Sequence, residues 1–484
     1  MTARALTMPW AEPGDRTFSL PRSVLVTMAL GEAPPNVPAL FDVRRGQAKP
    51  KDSLDGGPID RIVGQLAGGF RAARVHCAAA SLALPGKRHE GFNTAEQISN
   101  LAGSFILRVP MGAPIGRIAQ TLSQLSTVAW ASPNYVAVTP FNMQPDHQQF
   151  VDPGDDDAQR PRNLIRAAEA LKLEPGDPAV LVGLVDSGVA LNHPEIKGKM
   201  RAGFDTVQMD SSSVSPSIKI LGDHDHFDRD PTDSFVGHGM GCSGIIGGLG
   251  VHMPRGLAGL AQIIPLRALA AAKLPNQDHA IGLGSIADLD AAVKLAVDLG
   301  AKVINMSFGT DDAALAADSP KPHADVIRYA LNRGCILVAA SGNSGLDAKY
   351  WPAAFDGVIA VGACNNDRQV TNFSTRGDHV SLCAPGERIL SCGLTGYNYV
   401  TGTSFAAPFV AATAALLVAH GARNSLPVDG PLAREILVRS AQHFKGPNPQ
   451  GCGAGILDAT AALQLLAAII ERTASEEPGR PDDG

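Results

Sequence analysis

The sequence is short of the features that mark several large classes of protein. No run of lysine and arginine stands out, and the net charge of the 484 residues is −6. A nucleic-acid partner, which needs clustered cations, is therefore not expected. No apolar stretch approaches the roughly 20 residues of a membrane span. A basic leader with an apolar core is also missing: the apolar segment Val24 to Leu30 follows a long polar lead that contains Glu12 and Asp15. It reads as a strand rather than an export signal, which favours the cytoplasm, with secretion as the alternative. The seven cysteines (Cys77, Cys242, Cys335, Cys364, Cys383, Cys392 and Cys452) are odd in number and form no CxxC pair. This argues against a disulfide framework and a zinc site, and for small core residues. No internal repeat is found.

What is present is a chain that is 45% hydrophobic and 18% charged, long enough for one large domain and at least one smaller one. A segment rich in Asp, Pro, Gly and Arg at 151–163 reads as a linker. After it come strand-length apolar runs: Val180–Val185, Lys302–Met306, Ile336–Ala340, Val358–Val361 and Val380–Cys383. Helical patterns at Ile286–Leu299 and Ala324–Asn332 lie between some of them. Strands buried on both faces and alternating with helices predict an α/β fold: a mostly parallel central sheet flanked by helices on both faces. Its active site should lie beyond the carboxyl ends of the strands. In the N-terminal part, 104–109 and 128–138 read as strands, 115–125 as an amphipathic helix, and 31–60 as loop. The resulting division is an N-terminal extension without a legible motif (1–100), a small α/β module (101–140), a linker (141–163), a large domain (164–470) and a disordered tail (471–484).

Four short segments carry chemistry. Asp186 closes the run Gly183-Leu184-Val185-Asp186 and is followed by Ser187-Gly188-Val189. An Asp there commonly caps a turn; at a strand end it can also orient a histidine. His238 lies between Gly237 and Gly239 at the head of a run of small residues, a context that offers little packing for an imidazole but close approach for another chain. Ser404, in Gly402-Thr403-Ser404-Phe405-Ala406-Ala407-Pro408, opens an apolar helix. A Ser there is usually a cap; with a base beside it, it is also a nucleophile whose oxyanion the helix N–H groups can hold. Asn343 follows a buried strand in Ser341-Gly342-Asn343, as a turn residue or as an amide donor beside Ser404. Cys242, four residues after His238, should share its helix face.

Together, in the order Asp, His, Asn, Ser, these segments resemble the subtilisin-like serine peptidases. Asn192-His193-Pro194-Glu195, Ile263-Ile264-Pro265-Leu266-Arg267, Val303-Ile304-Asn305-Met306-Ser307-Phe308-Gly309 and Gly453-Ala454-Gly455-Ile456-Leu457-Asp458-Ala459 add to the match. Phe405 stands where the family usually has Met, and Phe409 where it usually has His. The resemblance covers about residues 145–470. It implies a serine endopeptidase with the triad Asp186, His238 and Ser404 and an oxyanion hole from Asn343 and the Ser404 N–H. The Gly-x-Ser-x-Gly elbow of many esterases is absent around Ser404.

The resemblance further implies that a peptide or protein substrate binds as an extended strand between Gly282-Leu283-Gly284 and Ser307-Phe308-Gly309, beside Ser341 and Gly342. Tyr350 falls near the base of the main specificity pocket. Residues 104–139 resemble the family's inhibitory propeptide, with Ala129-Trp130-Ala131-Ser132-Pro133-Asn134-Tyr135-Val136 as its last strand. No cofactor is required for the chemistry. Family members often bind structural calcium, but the sequence does not locate such a site. The cluster Asp223-His224-Asp225-His226-Phe227-Asp228-Arg229-Asp230 lacks the glycine and spacing of an EF-hand loop and reads as a solvated loop, so no metal ligand is assigned.

Overall fold

The apolar runs pair as a seven-stranded sheet. In a computed structural model, which describes residues 19–139, 146–148, 152–209, 214, 218–224, 227–274, 279–315 and 318–476, its order across the sheet is Val380–Pro385, Val358–Cys364, Ile336–Ala340, Val303–Met306, Leu181–Asp186, Gln262–Arg267 and Phe204–Asp205. All of these pairings are parallel. One core lies on each face of this sheet, as expected for strands without a polar side. Because Leu181–Asp186, Val303–Met306 and Ile336–Ala340 are neighbours, the residues at and beyond their ends, from Asp186, Ser307 and Ser341 onward, emerge side by side at one edge.

The helix Thr403–Arg423 crosses one face of the sheet and packs against the helix His238–Gly247. By length and composition it could cross a membrane, contrary to the sequence expectation, yet 83% of its most apolar window is buried inside the protein. Its apolarity is that of a core helix. The other face carries Ile286–Asp298, capped by Ser285 Oγ on the Asp288 N–H, and Ala324–Asn332.

The N-terminal strands form an antiparallel sheet in the order Arg71–Arg74, Ser104–Arg108, Ser19–Met28, Val128–Val138. With the helices Pro58–Ala67 and Ile115–Leu122 this is a β-α-β-β-α-β unit. The expected boundary at residue 101 therefore cuts through a sheet: Ser19–Met28 lies between the two strands that were expected to make up the module. Helices Leu40–Arg44 and Pro58–Ala67 also begin inside the expected 31–60 loop. Pro58 sits in the first helical turn, where its missing N–H costs nothing, so it starts a helix there. The expected linker 151–163 contains a helix, Asp156–Leu164, with Asp155 accepting from the Ala158 N–H. The expected disordered tail is helical through Glu476, and residues 477–484 lie outside the described residues.

The module is docked by more than its last strand. Phe41, Cys77 and Leu101 belong to the same buried cluster as Leu289, Val293 and Val326 of the large domain. Glu96, fully buried, pairs with Lys294 at 2.6 Å, and Lys294 also binds Asp298. Trp130 Nε1 donates to Asp325 at 2.8 Å.

Candidate active site

Asp186 is the last residue of its strand and is fully buried. Its Oδ1 accepts from the Ser187 N–H at 2.7 Å and lies 2.7 Å from His238 Nδ1. His238 is the first residue of its helix. The next residue must be glycine: a Cβ on Gly239 would lie 2.2 Å from the Gly188 carbonyl oxygen. The segment after Asp186 and the start of the histidine helix are thus pressed together, which fixes the carboxylate against the ring.

A second carboxylate holds this arrangement. Buried Asp233 accepts from the N–H groups of Phe235, Val236 and Gly237 and from Ser187 Oγ at 2.8 Å. Ser187 Oγ in turn accepts from the Gly239 N–H at 3.0 Å. The residues flanking Asp186 and His238 are tied together through one oxygen. Sequence reading missed Asp233. Its signal was an Asp shortly before a small-residue turn, a pattern shared by many ordinary loops.

Ser404 lies in the first turn of its helix and is 1% exposed. Its Oγ donates to the Ser307 carbonyl at 3.3 Å, while its own carbonyl accepts from Ser307 Oγ at 2.8 Å and Cys242 Sγ at 3.4 Å. His238 Nε2 is buried without a partner. The carboxylate–imidazole contact is made, and the serine hydroxyl is turned to a neighbouring carbonyl. The ring of Phe405 lies 5.1 Å from that of His238.

Asn343 is oriented by its acceptor. Its Oδ1 takes the Thr403 N–H and the Thr403 Oγ1 hydroxyl, both at 2.9 Å. Its Nδ2 is buried and has no acceptor. An amide held by its oxygen therefore presents its N–H groups beside the start of the Ser404 helix.

Cys242 lies where its helical spacing put it. Its sulfur, His238 and the Asp186 carboxylate offer atoms within 4.8 Å of one another. Burial, reinforced by the Asp186 charge, raises the thiol pKa well above its usual value, so the sulfur is a protonated packing group rather than a nucleophile.

The expected peptide channel is filled by the chain itself. Val136, Ala137 and Val138 pair antiparallel with Ser285, Gly284 and Leu283. Val138 also bridges Gly309 on the opposite side, and the Thr139 N–H donates to the Gly282 carbonyl at 2.9 Å. Gly282, Leu283, Gly284 and the segment Ser307 to Gly309 thus flank one extended strand. The Ser341 hydroxyl donates to the Thr375 carbonyl, and the Gly342 N–H to Thr403 Oγ1, beside Ser404. Tyr350 lies against Gly342 and Gly309: a Cβ on Gly342 would fall 2.7 Å from its ring, and one on Gly309 would fall 3.4 Å from its side chain. Asp225 and His226 of the acidic cluster lie outside the described residues.

The subtilase family profile matches residues 177–455 of the chain. A thermophilic serine proteinase from Bacillus sp. (strain AK1) is 31% identical over 334 residues, covering 68% of this chain and 71% of that protein. Thermitase from Thermoactinomyces vulgaris is 32% identical over 258 residues, covering 53% of this chain and 81% of that protein. Among solved structures, the epidermin leader peptide processing serine protease of Staphylococcus aureus superposes with a TM-score of 0.60 at 20% identity, over 75% of this chain and 92% of that one, a likeness of fold. The parallel sheet, the profile match and these relatives agree: the chain belongs to the subtilase family and is a serine endopeptidase.

Proposed function

We propose that the chain cleaves peptide bonds by acyl transfer, with Ser404 as nucleophile, His238 as general base and Asp186 as the group that orients the imidazole and stabilises its cation. The reading requires the Ser404 hydroxyl to turn from the Ser307 carbonyl to the unpartnered His238 Nε2. Hydrogen bonds of this kind often tighten only when substrate is bound. The Asn343 Nδ2 and the Ser404 N–H hold the oxyanion. His238 gives the proton taken from Ser404 to the leaving amine; water then hydrolyses the acyl-enzyme, with His238 taking the water's proton and returning it to Ser404. Every group in this sequence is a side chain or backbone group of the chain, so the chemistry needs no cofactor. The observation that carries the reading is the pair of orphaned donors and acceptors around Ser404: a buried imidazole nitrogen and a buried amide nitrogen, each held from its other side. Ser404→Ala should abolish peptide hydrolysis while leaving the fold intact; retained hydrolysis would remove Ser404 from the mechanism.

Residues 19–138 are proposed to act as a cis inhibitor. Their last strand lies antiparallel on the edge Ile281–Ser285, the sense in which a substrate is proposed to add there. The adjoining segment 141–150, of which residues 146–148 are described, is the place to look for self-cleavage, by N-terminal sequencing of stored wild type beside Ser404→Ala. Inhibition of a purified 146–484 fragment by the separate module supports this role; full activity with the module added refutes it. Tyr350 is proposed to floor the pocket for the side chain next to the scissile bond and so to favour small residues there. The names of relatives such as the extracellular basic protease of Dichelobacter nodosus favour secretion over the cytoplasmic expectation.

A further inference from the structure

The N-terminal module contains a cavity that the proposed inhibition does not use. It has a volume of about 560 Å³ and lies between the turn after Ser19–Met28 and the segment that leads to Ser104–Arg108. Most ligand pockets fall between about 300 and 1,000 Å³. Its walls include Met28, Leu30, Ala33, Phe92 and Ala102, together with the polar groups of Arg74, His89 and Glu90.

Arg74 is the unusual member. It is 3% exposed. Its Nη2 donates to the Pro34 carbonyl at 2.7 Å, and its guanidinium lies 4.7 Å from the centre of the Phe105 ring and 5.4 Å from that of Phe92. Its Nε is buried with no acceptor. Among the described residues no carboxylate pairs with it. Burial lowers its pKa only to about 10, so it remains a cation at neutral pH.

A buried cation without an anion is costly, by several kcal/mol before compensation. The same module shows how it treats the others. Buried Arg88 has Asp42 as its partner, and buried Lys294 across the interface has Glu96 and Asp298. Those carboxylates are committed. Glu90 stands at the exposed side of the cavity and forms no ion pair with Arg74. His89 Nδ1 is a second buried polar atom without a partner in the cavity wall.

We propose that this cavity binds a small organic carboxylate, held by the Arg74 guanidinium with its apolar part against Met28, Ala33 and Phe92. Carboxylate fits better than phosphate. A single guanidinium matches two coplanar oxygens, whereas a dianion would face the Glu90 charge with only one cation to hold it.

The test uses the full chain carrying Ser404→Ala, which prevents self-cleavage, and titrates it calorimetrically with pentanoate, pentanamide and inorganic phosphate. Saturable binding of pentanoate, absent for pentanamide and weaker for phosphate, is expected. Charge-assisted hydrogen bonds are worth about 1.5–3 kcal/mol, so Arg74→Met should weaken pentanoate about ten- to a hundredfold. Ala33→Trp, which fills the cavity and leaves Arg74 in place, should also block binding and keeps the test decisive if Arg74→Met does not fold. Equal behaviour of acid and amide, binding unchanged by these substitutions, or no saturable heat with pentanoate would overturn the proposal. Phosphate binding as tightly as pentanoate would overturn the carboxylate assignment.

Discussion

Removing the Asn343 side-chain donor should slow turnover without weakening substrate binding. Two roles meet in this residue, and the structure separates them. Its Oδ1 accepts two hydrogen bonds from Thr403 at 2.9 Å, a structural duty at the start of the Ser404 helix. Its Nδ2 has no partner at all, so the resting protein loses nothing there on substitution. Loss of one oxyanion donor typically costs about 10²–10³ in kcat, or about 2.7–4 kcal/mol in the transition state. Asn343→Ala removes both roles. The two lost bonds at Thr403 should cost about 1–3 kcal/mol of stability, read as a lowered Tm. Asn343→Asp keeps the acceptor and removes the donor, and its charge opposes the oxyanion. Its kcat should fall at least as far while its Tm stays nearer to wild type. The assay is steady-state hydrolysis of a chromogenic peptide by the catalytic domain freed of the module, with active sites titrated so that kcat refers to competent enzyme. KM should move little, because the donor acts on the transition state. Near-normal kcat in both variants, or a loss confined to KM, would refute the reasoning.

Tyr350→Ala should deepen the pocket behind Gly309 and Gly342 and raise kcat/KM for peptides with large residues before the scissile bond, measured by cleavage of a peptide library; an unchanged profile would place Tyr350 outside the pocket. An organomercurial should inhibit by loading the Cys242 sulfur and pushing His238 out of line, since small misplacements of catalytic groups are costly. Excess thiol should reverse the effect, and Cys242→Ala should lack it; equal inhibition of that variant would assign the effect to another of the buried cysteines. Glu96→Gln should weaken inhibition by the separate module by at least about tenfold, because it leaves Lys294 with Asp298 alone in a buried site; an unchanged inhibition constant would confine the docking energy to the strand and the apolar contacts.

The site was more legible than the module, for a physical reason. Asp186, Ser307 and Ser341 lie at or just beyond the ends of buried strands whose apolar runs are visible one by one, and a parallel sheet necessarily brings the ends of neighbouring strands to one edge. The helix Ala324–Asn332 and the strand Ile336–Ala340 were likewise written in local pattern. The strand Arg71–Arg74 was not: Arg-Ala-Ala-Arg has no alternation, and it is a strand because it pairs with Ser104–Arg108. Part of Ser19–Met28 was read as a strand from Val24 onward, but its place in the module depends on partners as distant as Arg108 and Pro133. Asp233 escaped because its role lies in joining Ser187 to the turn before His238, a relation in space. The strand between the two expected edges escaped in part for a similar reason: only the register of Val138 between Leu283 and Gly309 shows what lies between them.

The most direct test of the central claim is covalent labelling of the activated enzyme with a fluorophosphonate, followed by mass-spectrometric location of the adduct. One adduct per chain, on Ser404, lost in Ser404→Ala and strongly slowed in His238→Ala, is the predicted result. An active enzyme that takes no label, or takes it at another residue, would contradict the account.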